Sequence, residues 1–159
     1  MALLVVNDYV QSGQNDKALS MAQRSLGIPN LTTFAQVQAT LSANADQVQR
    51  SHDLLAGFVA DGVDYINFHW YETDTAALQE AVTFLRRNSG GRPIITDEIG
   101  QRNEDASEVT SKLATVKQLG LITAIWFSGD GPLSRALQNP DWTLRANGVA
   151  FQQTMSGWR

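Results

Sequence analysis

Three β-type apolar runs recur at intervals of about 29 residues, and this spacing constrains the fold more than any other feature of the chain. They are VDYINFHW (63–70), PIITDE (93–98) and ITAIWFS (122–128), all rich in Ile, Val and aromatic residues. Each interval accommodates one βαβ crossover. The gaps carry helical patterns. Residues 75–88 place Leu78, Ala81, Val82 and Leu85 at a three/four spacing, and residues 105–119 do the same with Val109, Leu113, Val116 and Leu119. Gly120 follows as a residue suited to close a helix.

Upstream, ALLVV (2–6) reads as a first strand. A helix candidate at 16–26 follows, then a longer one at 34–59 with Phe34, Val37, Leu41, Ala45, Val48, His52, Leu55 and Val59 on one stripe. A last helix is expected from about 146 to 155. The order β-α-α-β-α-β-α-β-α predicts an α/β fold of four βα units, with parallel strands and outer helices. The 159 residues suffice for one domain with a real core, and no linker or low-complexity tract divides 1–159.

Composition excludes several functions. With no cysteine, disulfides, thiolate metal sites and cysteine nucleophiles are ruled out. Net charge is −4 and the basic residues are scattered, which argues against nucleic acid or an anionic membrane as partner. No apolar stretch approaches the roughly 18 residues of a membrane span. MALLVVNDYV lacks a basic start and a cleavage site, so it reads as a strand and not a signal peptide, and localisation stays open. No Gly-rich loop follows any strand, so phosphate chemistry fits poorly, and Ser89-Gly90-Gly91 is only a turn before a strand. The two histidines fall on a helix and a strand without ligand spacing, so no metal and no cofactor is expected.

In parallel βα architectures function sits at the C-terminal ends of the strands. Here those ends carry Asn7-Asp8-Tyr9, then Asn67, His69, Trp70, Tyr71 and Glu72, then Asp97 and Glu98, then Trp126, Ser128 and Asp130. The opposite ends have no such set. Carboxylates with aromatic platforms suit glycoside hydrolysis: an indole stacks on a sugar ring, Asn and His bond its hydroxyls, and a tyrosine beside a carboxylate aims it. Side chains alternate along a strand, so Asn67, His69 and Tyr71 share a face while Trp70 points outward under a helix. By the same rule only one of Asp97 and Glu98 faces the mouth. Glu98 is assigned there and Asp97 to the other side.

GVDYINFHWYE (62–72), RPIITDEIGQ (92–101) and ITAIWFSGDG (122–131) together resemble the C-terminal half of clan A (β/α)8-barrel glycoside hydrolases, of the cellulase, glucanase or family-39-like type. The tail ALQNPDWTLRANGVAFQQTM (136–155) is similar to the usual ending of that family. The resemblance implies half of a TIM barrel, with the chain's strands taken as five to eight. It implies Glu98 as nucleophile of a retaining mechanism, Tyr71 and His69 as its catalytic neighbours, and Asn67 and Trp126 as sugar-binding groups. Asn7 joins these as a strand-end candidate, and a carbohydrate is the implied partner.

The family's acid/base glutamate, on its fourth strand, has no counterpart here. Asn103-Glu104 has the right letters but reads as a helix start, and Asp8, Glu72 and Asp130 are the substitutes on this chain. Four strands leave two raw edges. A homodimer closing an eight-stranded barrel is the favoured remedy, with a larger gene product or an open doubly wound sheet as others. The functional alternatives are an inactive carbohydrate-binding remnant and a self-assembling structural half-barrel. Bland readings also exist: Glu98 as a solvated turn acid, Asn7 as a turn residue, His69 and Trp126 as core. His52, on the apolar stripe of a long helix, is expected to be packed or half-exposed, and Trp142 and Trp158 receive no role.

Overall fold

The computed structural model describes residues 1–128 and 136–158. Among them are seven helices and three strands, a mixed α/β arrangement. The chain divides into two compact units, Met1–Ile66 with Ala76–Ile94, and Asn67–Thr75 with Ile95–Arg159.

The first unit is helical. α1 (Ala2–Gln11) occupies the segment expected to be the first strand. Five apolar residues are too few for periodicity to separate a buried strand from a buried helix. Packing decides: Leu4, Val5 and Val6 are buried, and α1 packs on α2 (Asn15–Ser25), whose Ala18, Met21 and Ala22 are fully buried. The small alanines admit a close helix neighbour. α1 ends where Ser12 Oγ donates to Asp8 O (2.8 Å) and Gly13 takes a left-handed φ of 73°.

The long helix expected over 34–59 is two helices, α3 (Phe34–Ala43) and α4 (Ala45–Asp61). Asn44 separates them with φ −116° and ψ 20°. Its side-chain amide donates to Thr40 O (2.8 Å), the kind of local bond with which asparagine competes against the helix ladder. Thr33 and Gln36 form a capping box at the start of α3. Gly62 closes α4 in the left-handed region. α5 (Thr75–Asn88) buries Leu78, Ala81, Val82 and Leu85, the stripe expected from its sequence. Its polar side meets the other helices: Arg24 pairs with Glu80, and Arg87 with Asp8 at 2.7 Å. Burial, with Glu80 beside it, pushes the Tyr9 hydroxyl up to about 12.

The strands are β1 (Ile66–Trp70), β2 (Ile94–Ile99) and β3 (Ala124–Trp126), in the order β1-β2-β3. β2 and β3 pair in parallel. Ile66 N donates to Pro93 O (3.0 Å) and Gly100 N to Trp70 O (3.1 Å), so β1 and β2 advance together. Among the described residues three strands stand where four were expected, because residues 2–6 are helical. The second unit adds α6 (Ala106–Leu119) and α7 (Ala146–Ser156), which pack together. Asp105 caps α6 through Ser107 N (2.8 Å) and Gly120 closes it, so Asn103-Glu104 precedes the helix instead of starting it.

Candidate active site

β1 alternates cleanly. Ile66, Phe68 and Trp70 are buried, while Asn67 and His69 are exposed on the other face. β2 does not alternate. Thr96 pairs with Ala124 and Ile99 with Trp126, so three steps along β2 match two along β3. The register therefore shifts by one residue between Thr96 and Ile99, the two-against-one count of a β-bulge. Thr96 and Ile99 are both buried although three apart, and Asp97 and Glu98 lie between them. This corrects the expectation that Asp97 turns away. Strict alternation fails at a bulge, and both acids reach the face that carries Asn67 and His69.

The contacts confirm the placement. Asn67 Nδ2 donates to Asp97 Oδ1 (2.7 Å), and the Asp97 backbone N–H donates to Asn67 Oδ1 (3.1 Å). His69 Nε2 lies 3.0 Å from Asp97 Oδ1. His69 Nδ1 lies 3.6 Å from Glu98 Oε2. The Tyr71 hydroxyl donates to Glu98 Oε1. The Asn67 hydrogen bond is the main influence holding the Asp97 carboxyl below its usual range, with the His69 charge adding to it. Glu98 keeps about a third of its side chain exposed and His69 about half, so solvent reaches both (33% and 52%).

Gly100 makes this geometry possible. A Cβ there would lie 2.9 Å from Tyr71 Cε1 and 3.1 Å from Phe127 O. Phe127 in turn meets the Tyr71 ring edge-on, with centroids 6.1 Å apart. Behind Gly100 runs a buried polar network. Lys112 Nζ, fully buried, donates to Gly100 O (2.6 Å) and to Glu108 Oε1 (2.8 Å). Asn103 Nδ2 donates to Glu108 Oε2 (2.7 Å). Gln101 Nε2 donates to Asn103 Oδ1 (3.1 Å), and Asn147 Nδ2 to Gln101 Oε1 (3.3 Å). The segment that follows the two acids is thus tied to α6 and α7. Burial pushes the Lys112 ammonium down, against the opposing pull of Glu108.

No protein-family model matches the chain, and no curated protein matches it. One solved structure is similar, that of a GH128 (subgroup VII) oligosaccharide-binding protein from Trichoderma gamsii. It is 15% identical, with a TM-score of 0.49 over 60% of this chain and 42% of that one. The likeness therefore spans less than half of that protein.

Of the expected site residues, Glu98, Tyr71, His69 and Asn67 come together. Trp126 does not touch this group among the described contacts. Its indole packs on Phe151 of α7 (5.8 Å), and its Nε1 is buried with no partner among the described residues. Asn7 lies in the first unit, on α1, lining an open groove with Gln11, Gln38 and His52. Of the substitute acids, Asp8 pairs with Arg87, Glu72 pairs with Arg102 (3.1 Å), and Asp130 lies outside the described residues. Among the described residues no group of three or more His, Asp or Glu is arranged to hold a metal. No helix among them is long and apolar enough to cross a membrane.

Asp97, Phe127 and the Lys112 network escaped the sequence reading. A signal existed for the last. Glu108 and Lys112 flank Val109 and Leu113 at positions continuing the buried stripe of α6, where charges have no place unless paired.

Proposed function

We propose that the second unit carries a glycoside hydrolase-like site for a carbohydrate, with Glu98 as the nucleophile of a retaining mechanism. The observation that carries this reading is the Tyr71–Glu98 hydrogen bond at the ends of neighbouring strands. Tyr71 occupies Oε1 and leaves Oε2 open beside His69. A carboxylate with one oxygen held and the other open is aimed for attack on an anomeric carbon. Asn67 and His69 supply polar groups for sugar hydroxyls, and Trp126, in the same unit, remains a proposed sugar contact. β1, β2 and β3 are read as strands six to eight of a (β/α)8 barrel, within a single domain over 1–159.

A retaining site needs a second carboxyl about 5–5.5 Å from the first, as acid/base. In this reading that partner comes from another chain or from further sequence. A homodimer is one such source. Two copies supply six described strands and not eight, so association without simple barrel closure is the form proposed.

Activated aryl glycosides test the nucleophile directly, because their leaving group departs with little acid assistance. Hydrolysis by the wild-type chain that vanishes in Glu98→Gln is the expected result. Sugar binding without turnover would favour the inactive carbohydrate-binding reading, which the same Asn67 and His69 exposure supports.

A further inference from the structure

His69 stands between two carboxylates and treats them differently. Its Nε2 is at hydrogen-bond distance from Asp97 Oδ1 (3.0 Å), whereas its Nδ1 is 3.6 Å from Glu98 Oε2, beyond that range. Asp97 is itself clamped, by Asn67 Nδ2 on Oδ1 and by its own backbone N–H on Asn67 Oδ1. An ionised carboxylate only accepts hydrogen bonds, so in a neutral ring with a carboxylate on each side the proton favours the nitrogen that lies within hydrogen-bond distance. Which nitrogen of a histidine is protonated is set by the bond the other groups impose on it.

We infer that Asp97 is the positioning residue of this site: its carboxylate, 3.0 Å from His69 Nε2, draws the proton of the neutral ring to that nitrogen and leaves Nδ1 on the side of the open oxygen of Glu98. In the neutral ring Nδ1 is then an acceptor beside Oε2. It suits a hydroxyl donor next to the reacting carbon, the chemistry of a sugar ring. The bulge that puts Asp97 beside Glu98 is what allows the orienting acid and the nucleophile to be consecutive residues. The consequence for turnover rests on the nucleophile reading of Glu98. The assignment of the proton rests on the geometry alone.

The test uses 15N-labelled protein with His52→Gln, which leaves one imidazole of the two in the chain. In alkaline solution, where the ring is neutral, the expected pair of ring 15N shifts is that of a protonated Nε2 and an unprotonated Nδ1. Asp97→Ala should draw the two shifts toward one another as the tautomers mix, and Asn67→Ala should do so to a smaller extent. Asp97→Ala should also lower kcat on an activated aryl glycoside roughly 10- to 100-fold, with KM nearly unchanged, as expected when a reacting group is misaimed. A proton on Nδ1 in the His52→Gln protein, or an unaltered pair of shifts in Asp97→Ala, overturns the inference. Shifts that respond as expected in a protein without hydrolysis support the inference and overturn only the nucleophile reading.

Discussion

Tyr71 and Glu98 are 27 residues apart in sequence and meet as donor and acceptor at the ends of adjacent strands. The contact depends on three separate features. β1 and β2 run in register, a bulge turns Glu98 toward β1, and Gly100 leaves room for the tyrosine ring.

Removing the hydroxyl should therefore cost rate and not binding. Hydrogen bonds to charged groups contribute about 1.5–3 kcal/mol. Tyr71→Phe is expected to lower kcat on an activated aryl glycoside roughly 10- to 100-fold, with KM little changed. Steady-state kinetics over a range of substrate concentrations makes the comparison, and an equal loss in Glu98→Gln/Tyr71→Phe and Glu98→Gln checks that both act on one step.

Gly100→Ala should resemble Tyr71→Phe in activity for a different reason. The new methyl meets the Tyr71 ring at 2.9 Å and the Phe127 carbonyl at 3.1 Å, so the ring must move. Overpacking of this kind costs about 1–3 kcal/mol. Urea denaturation should show that loss, and the near-UV circular dichroism of the aromatic residues should change with it.

The Asn67–Asp97 pair predicts an acid dependence. The folded carboxyl lies below its unfolded value, chiefly through the Asn67 hydrogen bond. Its stabilising contribution is thus present above the unfolded carboxyl range and is lost as pH falls through the lowered folded value. Asn67→Ala should move the acid end of the stability curve to higher pH, while leaving the neutral-pH fold intact. Circular dichroism during acid titration reads the midpoint. A midpoint that moves to lower pH, or stays in place, would count against this role for Asn67.

Lys112 should be the most sensitive position of the buried network. Lys112→Met leaves the Glu108 carboxylate buried without its ammonium and the Gly100 carbonyl without its donor. Loss of one partner of a buried pair costs about 3–5 kcal/mol. The double substitution Lys112→Met with Glu108→Gln should recover much of that loss, because no uncompensated charge remains. Chemical denaturation of the single and double variants measures the difference.

Helices α2, α5 and α6 were legible, since their apolar residues recur at three and four and their ends carry recognisable closures such as Gly120. The segment 2–6 was not, because five apolar residues satisfy helix and strand equally, and the buried face of α2 decides between them. The stripe over 34–59 looked continuous across Asn44, since periodicity records apolar positions and not the side-chain bond that interrupts the ladder.

The sequence by itself determined that β1, β2 and β3 alternate with helices, and that His69, Tyr71 and Glu98 gather at strand ends. Both follow from local properties: the spacing of apolar runs and the alternation of side chains along a strand. That Asp97 and Glu98 share a face was decided only by tertiary structure. A bulge belongs to the pairing of two strands, Thr96 with Ala124 and Ile99 with Trp126, and neither strand's own residues encode that register. Once the register slips by one residue, two consecutive acids share a face. One of them holds the histidine, and the other takes the tyrosine's hydrogen bond.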